Sequence, residues 1–526
     1  MKTKEGKKPS ALDRQLDRYL QYLQEHARTV NVVIVAVILA ASLFIRVNSM
    51  VHKEQLHSDE VFSMMLCNAN PYYSHPIPDG TYTGEQLKDM IANHGDTGVK
   101  GLFHDLGQLW VNNNDAPHAS LYYMLLRVAL TGYDSYDLHE FIYRGVGLNL
   151  VFFLLSFLLM YKSLRRIFGD RMLLVYVGLT LAFCNMFSVA NTLLIREYQM
   201  AETFVLLLSY VAVGFVAAMR RGEAVDRRRL LAWLSVSVAL VVSTGYFNVY
   251  FICLLGLMLI VMACRRSRGR DALVVVASGL LGLVIAYVLY PGFFNVVLHK
   301  TVHQSMAFND FYGAMREVFG GKLFRLMFFS YGKWIVLAAL LAGILARNRK
   351  RLFASDSYMW LPVIALVCMP IINYTSVLKE PRYYFCLTPV LMLLVPGCLS
   401  VLSDLWRRYF SILTVSFFII VACFFTLSPL YGWTQVRADL SRPATIYGLN
   451  PNEVVQLIPC MTDNVSYGVL GKDADLTKSM KPGDQKWVVS RTGAWDGNVF
   501  YYQGKRLWSK HIYLFLLTYD PQKNNQ

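Results

Sequence analysis

The chain has 526 residues, 55% of them hydrophobic and 16% charged, with a formal net charge of +16. Soluble domains carry about 25% charged residues, so a wholly soluble fold is excluded. The excess of lysine and arginine is parcelled into short clusters between long apolar runs, which is a membrane-topology signal and argues against nucleic acid as a partner.

Residues 1–29 form a polar, basic leader. Within it Leu12, Leu16, Tyr19, Leu20 and Leu23 recur on one helical face, predicting an interfacial helix on the cytoplasmic surface. A first apolar run follows at 30–47, too deep in the chain for a cleaved signal peptide. Further runs lie at 144–162, 171–190, 199–219, 230–243, 249–264, 272–290, 326–346, 357–374, 384–402 and 409–428. Together they predict about eleven transmembrane helices, since about 20 apolar residues cross the hydrocarbon core. Every even-numbered run ends in a basic cluster, such as Lys162, Arg165 and Arg166, or Arg265, Arg266 and Arg268. The positive-inside rule then sets these loops and the N-terminus in the cytoplasm and the C-terminus outside, in the periplasm for a bacterial inner membrane.

Two sizeable pieces lie outside the membrane on this reading. The first is the loop at 48–144. There Thr83-Gly84-Glu85-Gln86 is a capping box that predicts a helix over 84–93, with further helices over 99–111 and 119–130. The second is residues 429–526, where 487–490 and 499–502 read as short strands around Asp496-Gly497, giving a small α/β or mainly β domain. Asp473-Ala474-Asp475 reads as a solvated turn, and Asn464-Val465-Ser466 is a glycosylation sequon. Cys67 and Cys460 lie on the outer side, where an oxidising compartment would allow them to pair.

Four clusters bear chemistry. His57-Ser58-Asp59-Glu60 stands just beyond the first run. It reads either as a general base at the membrane surface, tuned by Glu60 or His57, or as a helix N-terminus with Ser58 or Asp59 as cap. The same groups offer hard oxygens to a divalent metal, whose involvement stays open. Asp115-Ala116-Pro117-His118-Ala119-Ser120-Leu121-Tyr122-Tyr123 sets an acid and a histidine before an aromatic helix. Arg196-Glu197-Tyr198 fills a tight turn between runs, with Arg196 free to pair with Glu197 or Glu202 instead of a ligand. Lys379-Glu380-Pro381-Arg382-Tyr383-Tyr384 puts cations on the side the positive-inside rule disfavours. A phosphate ligand gives them a reason, and so does interfacial anchoring; His299, Lys300 and His303 extend the same basic patch.

Taken in order, these motifs resemble the GT-C membrane glycosyltransferases that use polyprenyl-phosphate sugars, in the bacterial branch of protein O-mannosyltransferases and lipid A aminoarabinose transferases. Asp59-Glu60 matches the acidic motif of the family's first outer loop. His118-Ala119-Ser120-Leu121-Tyr122-Tyr123 looks like its His-Pro-Pro-Leu-Tyr-Tyr segment, Arg196-Glu197-Tyr198 like its Arg-x-Tyr turn, and Pro381-Arg382-Tyr383 like its late Arg-Tyr motif. Ala119 and Ser120 replace two prolines, which leaves that helix start less rigid. The resemblance covers residues 30–428 and implies an all-α polytopic GT-C fold. It also implies a polyprenyl-phosphate-linked sugar donor and an acceptor hydroxyl on a glycan, lipid or protein. Asp59 and Glu60 are then catalytic; Arg382, Lys379, Arg196 and Tyr383 hold the donor phosphate; His118, Asp115, Tyr122, Tyr198 and His57 support the site or the acceptor. The rival readings are a flippase for a polyprenyl-linked glycan, disfavoured by the apolar cores of the runs at 272–290, 326–346 and 409–428, and a polysaccharide polymerase or ligase, disfavoured by the early Asp-Glu pair.

Overall fold

A computed structural model describes residues 25–92, 98–111, 120–133, 135–291, 358–376, 381–397, 400, 440–491, 499–506 and 512–520. The leader helix expected over 12–23, the runs at 326–346 and 409–428, Asp115, His118, His299, Lys300, His303, Lys379 and Asp496-Gly497 lie outside the described residues.

The apolar runs that lie among the described residues become helices. α1 (Ala27–Val51) holds the first. After it come the loop helix α2 (Ser58–Cys67), strand β1 (Gly80–Thr83), and helices α3 (Gly84–Ala92), α4 (Val99–Val111) and α5 (Ser120–Ala129). α6 (Leu138–Phe168) starts at Asp137, whose carboxylate accepts from the amides of His139 at 2.8 Å and Glu140 at 3.1 Å. The chain then folds back and forth through α7 (Met172–Phe183), α8 (Met186–Leu193), α9 (Tyr198–Arg220), α10 (Arg227–Val242), α11 (Asn248–Arg265) and α12 (Gly269–Leu289). α13 (Trp360–Thr375), a 3₁₀ segment (Pro381–Leu387) and α14 (Thr388–Leu391) complete the described helical part.

Among the described residues five helices are long and apolar enough to cross a membrane, or six with the bent pair α7–α8 as one span. The total of about eleven read from the sequence is therefore larger than these helices account for. α10 and α13 match expected spans but have 16 residues each, short of a full crossing. The stripe Leu273, Leu280 and Val284 on α12 is 68%, 63% and 60% exposed, a surface that suits lipid and no aqueous solvent. α9 is the central helix, with 72% of its apolar window buried against 17% for α1.

The run at 171–190, read as one span, is broken, bending by 54° between α7 and α8. Asn185 causes the break and heals it. Its amide donates to the carbonyls of Leu181 (2.9 Å) and Ala182 (2.7 Å), while its oxygen accepts from the Ser188 amide at 2.9 Å, capping α8. Irregular backbone at membrane depth persists only where its polar groups are satisfied in this way.

The two polar pieces join in one sheet. Strands β2 (Ala444–Tyr447), β3 (Ser466–Leu470), β4 (Gln485–Ser490), β5 (Val499–Arg506) and β6 (Tyr513–Tyr519), with helix α15 (Pro451–Leu457) between β2 and β3, form a small α/β unit. Its sheet takes in β1 from the first loop, in the order β1-β3-β2-β4-β6-β5. β2 is parallel to β3 and β4 and the other pairs are antiparallel. The strands expected at 487–490 and 499–502 are present, but β6 lies between them. Asp473 and Asp475 are exposed, as expected of a solvated turn. Cys67 and Cys460 are both free thiols, so the pairing that an oxidising compartment would allow is not formed; Cys67 is buried in an apolar core.

α3 is docked on this unit at its first turn. The capping box forms as read, with Gln86 N–H to Thr83 Oγ1 at 3.1 Å and Thr83 N–H to Gln86 Oε1 at 2.8 Å. Gly84 donates to Val465 O at 3.0 Å, and Lys88 pairs with Asp463 at 2.6 Å. On the membrane side, Trp110 of α4 donates to Val288 O at the end of α12, at 2.8 Å. The loop is thus tied to the sheet and to the bundle.

A Cβ at Gly84 would stand 2.2 Å from the Thr462 carbonyl oxygen, so Gly84→Ala must part the two pieces. Such overpacking costs about 1–3 kcal/mol. Thermal unfolding should show a transition lowered by several degrees, whereas Gly107→Ala, where a Cβ meets nothing within 4 Å, should leave it unchanged or raised. Equal transitions for the two variants would refute the docking.

Candidate functional site

α2 owes its start to a reciprocal cap. The His57 ring accepts the Asp59 amide on Nδ1 at 3.1 Å, and the Glu60 carboxylate accepts the His57 amide at 2.6 Å. The expected cap, Ser58 or Asp59, is corrected to His57. The consequence is geometric: Asp59, the second residue of the helix, is released from capping and its carboxylate is available to other partners.

Glu60 is spent inside. It is 1% exposed; one oxygen takes the His57 amide, and the other pairs with Lys53 Nζ and accepts the Ile195 amide at 2.9 Å. Lys53 also donates to Leu193 O at 2.6 Å. These bonds fasten the loop helix to the turn between α8 and α9. That turn sits close to α6, where a Cβ at Gly145 would come within 2.6 Å of Ile195.

Arg196 lies in the same turn, 4% exposed, beneath Asp59. Nη1 makes long 3.4 Å contacts to the Asp59 carbonyl and to Ser63 Oγ, Nε is 3.4 Å from Glu197, and the guanidinium is 5.7 Å from the Tyr123 ring centre. Of the two pairings open from the sequence, Arg196–Glu197 is the one formed; Glu202 bonds to Asn191 and Gln199. Tyr122, fully buried in α5, has its phenol pKa pushed well up by burial, with the nearby Glu197 and Glu60 carboxylates adding to the effect, so it remains protonated. Tyr198 is the buried first residue of α9.

The third contributor is the 3₁₀ segment. Its aromatic residues wedge it onto the bundle: Tyr383 lies 5.0 Å from Phe247 and Phe385 4.8 Å from Phe187, centre to centre. Arg382, 5.8 Å from the Tyr383 ring, forms an ion pair with the Asp59 carboxylate. The pair is 18% and 19% exposed, the accessible part of the cluster. Residues 57–60, 196–198 and 382–383 thus meet at one end of the bundle, while the described basic clusters terminate α6, α9 and α11 at the other.

Lys53 escaped the sequence reading. The rule that singled out Arg382 applies to it equally, as a cation on the basic-poor side. Among the described residues no three or more His, Cys, Asp or Glu side chains converge as metal ligands: Glu60 turns to Lys53 and Ile195, and Asp59 to Arg382.

Burial holds the His57 pKa below 6.5, against the attraction of Asp59 and Glu60 and with the help of Arg382 and Arg196. The neutral ring is also what the cap requires, since Nδ1 must accept. A histidine with a depressed folded pKa binds fewer protons folded than unfolded, so stability falls as pH drops below 6.5. Wild type should therefore lose more thermal stability between pH 7 and 5 than His57→Asn, which caps without titrating. Parallel losses in the two proteins would refute this role of His57.

No protein-family model matches the chain, and no curated protein matches it in sequence. Among solved structures, ArnT from Cupriavidus metallidurans bound to undecaprenyl phosphate aligns with 92% of this chain and 97% of its own, at 13% identity and a TM-score of 0.50. The apo structure of the same protein aligns over 93% and 98%, at 14% identity and a TM-score of 0.46. At such identity the likeness concerns fold alone, and it runs nearly end to end: this chain is a multi-pass membrane protein that shares the fold of ArnT.

Proposed function

We propose that the chain is a membrane glycosyltransferase that moves a sugar from a polyprenyl-phosphate donor to an acceptor hydroxyl. The observation that carries this reading is the Asp59–Arg382 pair, a carboxylate and a guanidinium brought together from segments more than three hundred residues apart. It lies in a fold shared with a protein bound to undecaprenyl phosphate. A transferase with a lipid-phosphate leaving group needs both: a base for the incoming hydroxyl and a cation for the departing phosphate.

In this mechanism the donor enters from the bilayer and its phosphate engages Arg382. The guanidinium exchanges its partner, and the Asp59 carboxylate is freed to accept a proton from the acceptor hydroxyl. The hydroxyl oxygen bonds to the anomeric carbon as the bond from that carbon to the phosphate oxygen breaks. The electron pair leaves with polyprenyl phosphate, and one displacement inverts the anomeric centre. Lys379 and Tyr383 extend the phosphate site, and Arg196 supports Asp59 from below through the Asp59 carbonyl. Glu60 orients the helix that carries the base. Tyr122, Tyr198, His57, Asp115 and His118 support the site or the acceptor. By the positive-inside rule the reaction faces the periplasm, with the N-terminus cytoplasmic.

The test is turnover by purified protein offered several polyprenyl-phosphate sugars. Wild type should release polyprenyl phosphate with an acceptor extract present. Asp59→Asn should be slower by about 10²–10⁴-fold, and Arg382→Ala by about 10²–10³-fold. Arg382→Lys should recover only part, because an ammonium lacks the bidentate fork. Full turnover by Asp59→Asn would remove it as the base, and no wild-type turnover on any donor would overturn the reading.

A further inference from the structure

Arg46 lies within the first membrane helix and is fully buried. A charge at membrane depth is costly and persists only with partners inside the bundle. Arg46 has them on α7 and α8. Nε donates to Thr192 Oγ1 at 2.9 Å, Nη2 to Ser188 Oγ at 2.7 Å, and Nη1 to the carbonyls of Phe183 and of its own helix neighbour Ser42, at 3.0 Å each. The Phe183 carbonyl is one that the break after α7 leaves without a helical partner. From Thr192 the chain of donors runs on: Thr192 Oγ1 to Gln199 Oε1 at 2.7 Å, then Gln199 Nε2 to Glu202 Oε1 at 3.0 Å. It ends on the carboxyl group of Glu202, which is fully buried. Each bond polarises the next when all point the same way.

We propose that Arg46 and Glu202 are positioning residues of the transfer site, joined through Thr192 and Gln199; this rests on the transferase reading above. The relay is anchored one residue before the segment that builds the site. Leu193 supplies the carbonyl held by Lys53, Ile195 the amide held by Glu60, and Arg196 the contact to Asp59. The relay locks the bent span, the bent span sets the turn, and the turn sets α2 and its Asp59. Asn149 of α6 clamps the same stretch from the other side, through the carbonyls of Thr192 (3.0 Å) and Leu194 (2.8 Å). The turn is thereby held at two levels, and release of the lower one leaves it pivoting on Asn149.

The experiment compares full-length wild type with Arg46→Met, Glu202→Gln and Thr192→Val, by amide hydrogen exchange and by turnover of a polyprenyl-phosphate sugar. Thr192→Val cuts the relay while leaving Arg46 its other partners, so it decides the matter where Arg46→Met fails to fold. Exchange should quicken by roughly tenfold at residues 194–198 and 57–61, with α12 and the sheet unchanged. The turnover number should fall by roughly 10- to 100-fold with the donor KM moved by less than about threefold, the pattern of a displaced catalytic group with binding retained. Exchange that quickens only at residues 183–192, or evenly over the chain with turnover per folded molecule unchanged, would overturn the proposal and leave a purely structural network. A wild type inactive on every donor would refute the transferase reading instead, and exchange at 57–61 would then decide the positioning by itself.

Discussion

The buried Glu60 carboxylate is the constraint on which the site geometry depends. An unpaired carboxylate at that depth would cost several kcal/mol, so its place is tenable only with donors around it. Lys53, the His57 amide and the Ile195 amide provide them, from the end of α1, the start of α2 and the turn before α9. One side chain therefore fixes three backbone segments at a point. Because Glu60 faces in and the helix advances by about 100° per residue, its neighbour Asp59 is turned to another face, where Arg382 meets it. The burial of one acid and the accessibility of the next follow from the same helical turn.

The same economy links the membrane and polar parts. β1 is a four-residue strand that has no stability alone, and it exists because β3 offers an edge. Through β1, Gly84 and Lys88 the C-terminal unit holds the loop from above, while Trp110 holds it from the side at the end of α12. A loop of this length without such ties would not hold a carboxylate at a fixed place, and on the proposed reading a displacement of about 1 Å would cost about 10²-fold in rate. The C-terminal sheet is thus part of how Asp59 is held, at a distance from it.

Much of this was legible locally. Apolar length gave α1, α6, α9, α11 and α12, and the Thr83–Gln86 box gave the start of α3 to the residue, because each signal lies within the segment it describes. Charge sidedness drew attention to Arg382, since a cation on the disfavoured face demands a partner. What escaped depends on distant contacts. Ser58 or Asp59 is the better cap by preference, yet His57 takes the position because Glu60 reaches back to its amide while Asp59 is drawn to Arg382. The pairing of β1 with β3 joins residues 80–83 to 466–469, and nothing in either short strand names the other. Two signals were present and unread: Arg46 is a charge inside an apolar run, and Asn185 is a cap-forming residue inside another. Both mark the place where the span bends.

The two arginines of the site differ in what it would take to recruit them. Arg382 is partly exposed, so solvent reaches its pair with Asp59 and competes for both ends. The donor's phosphodiester carries one charge, as the carboxylate does, but matches the guanidinium fork, and the phosphate gains up to a second charge as the bond to the sugar breaks, so Arg382 holds it most tightly as it departs. Arg196 is buried against Glu197, Ser63 and the Asp59 carbonyl. Drawing it to a ligand would strip a buried carboxylate of its counter-charge, which costs about 3–5 kcal/mol when a buried pair is broken. Arg196 is therefore suited to hold Asp59 in place, and Arg382 to change partners. A ligand that takes Arg382 releases Asp59 in the same event, so on the proposed reading the base becomes available only when the phosphate is already bound.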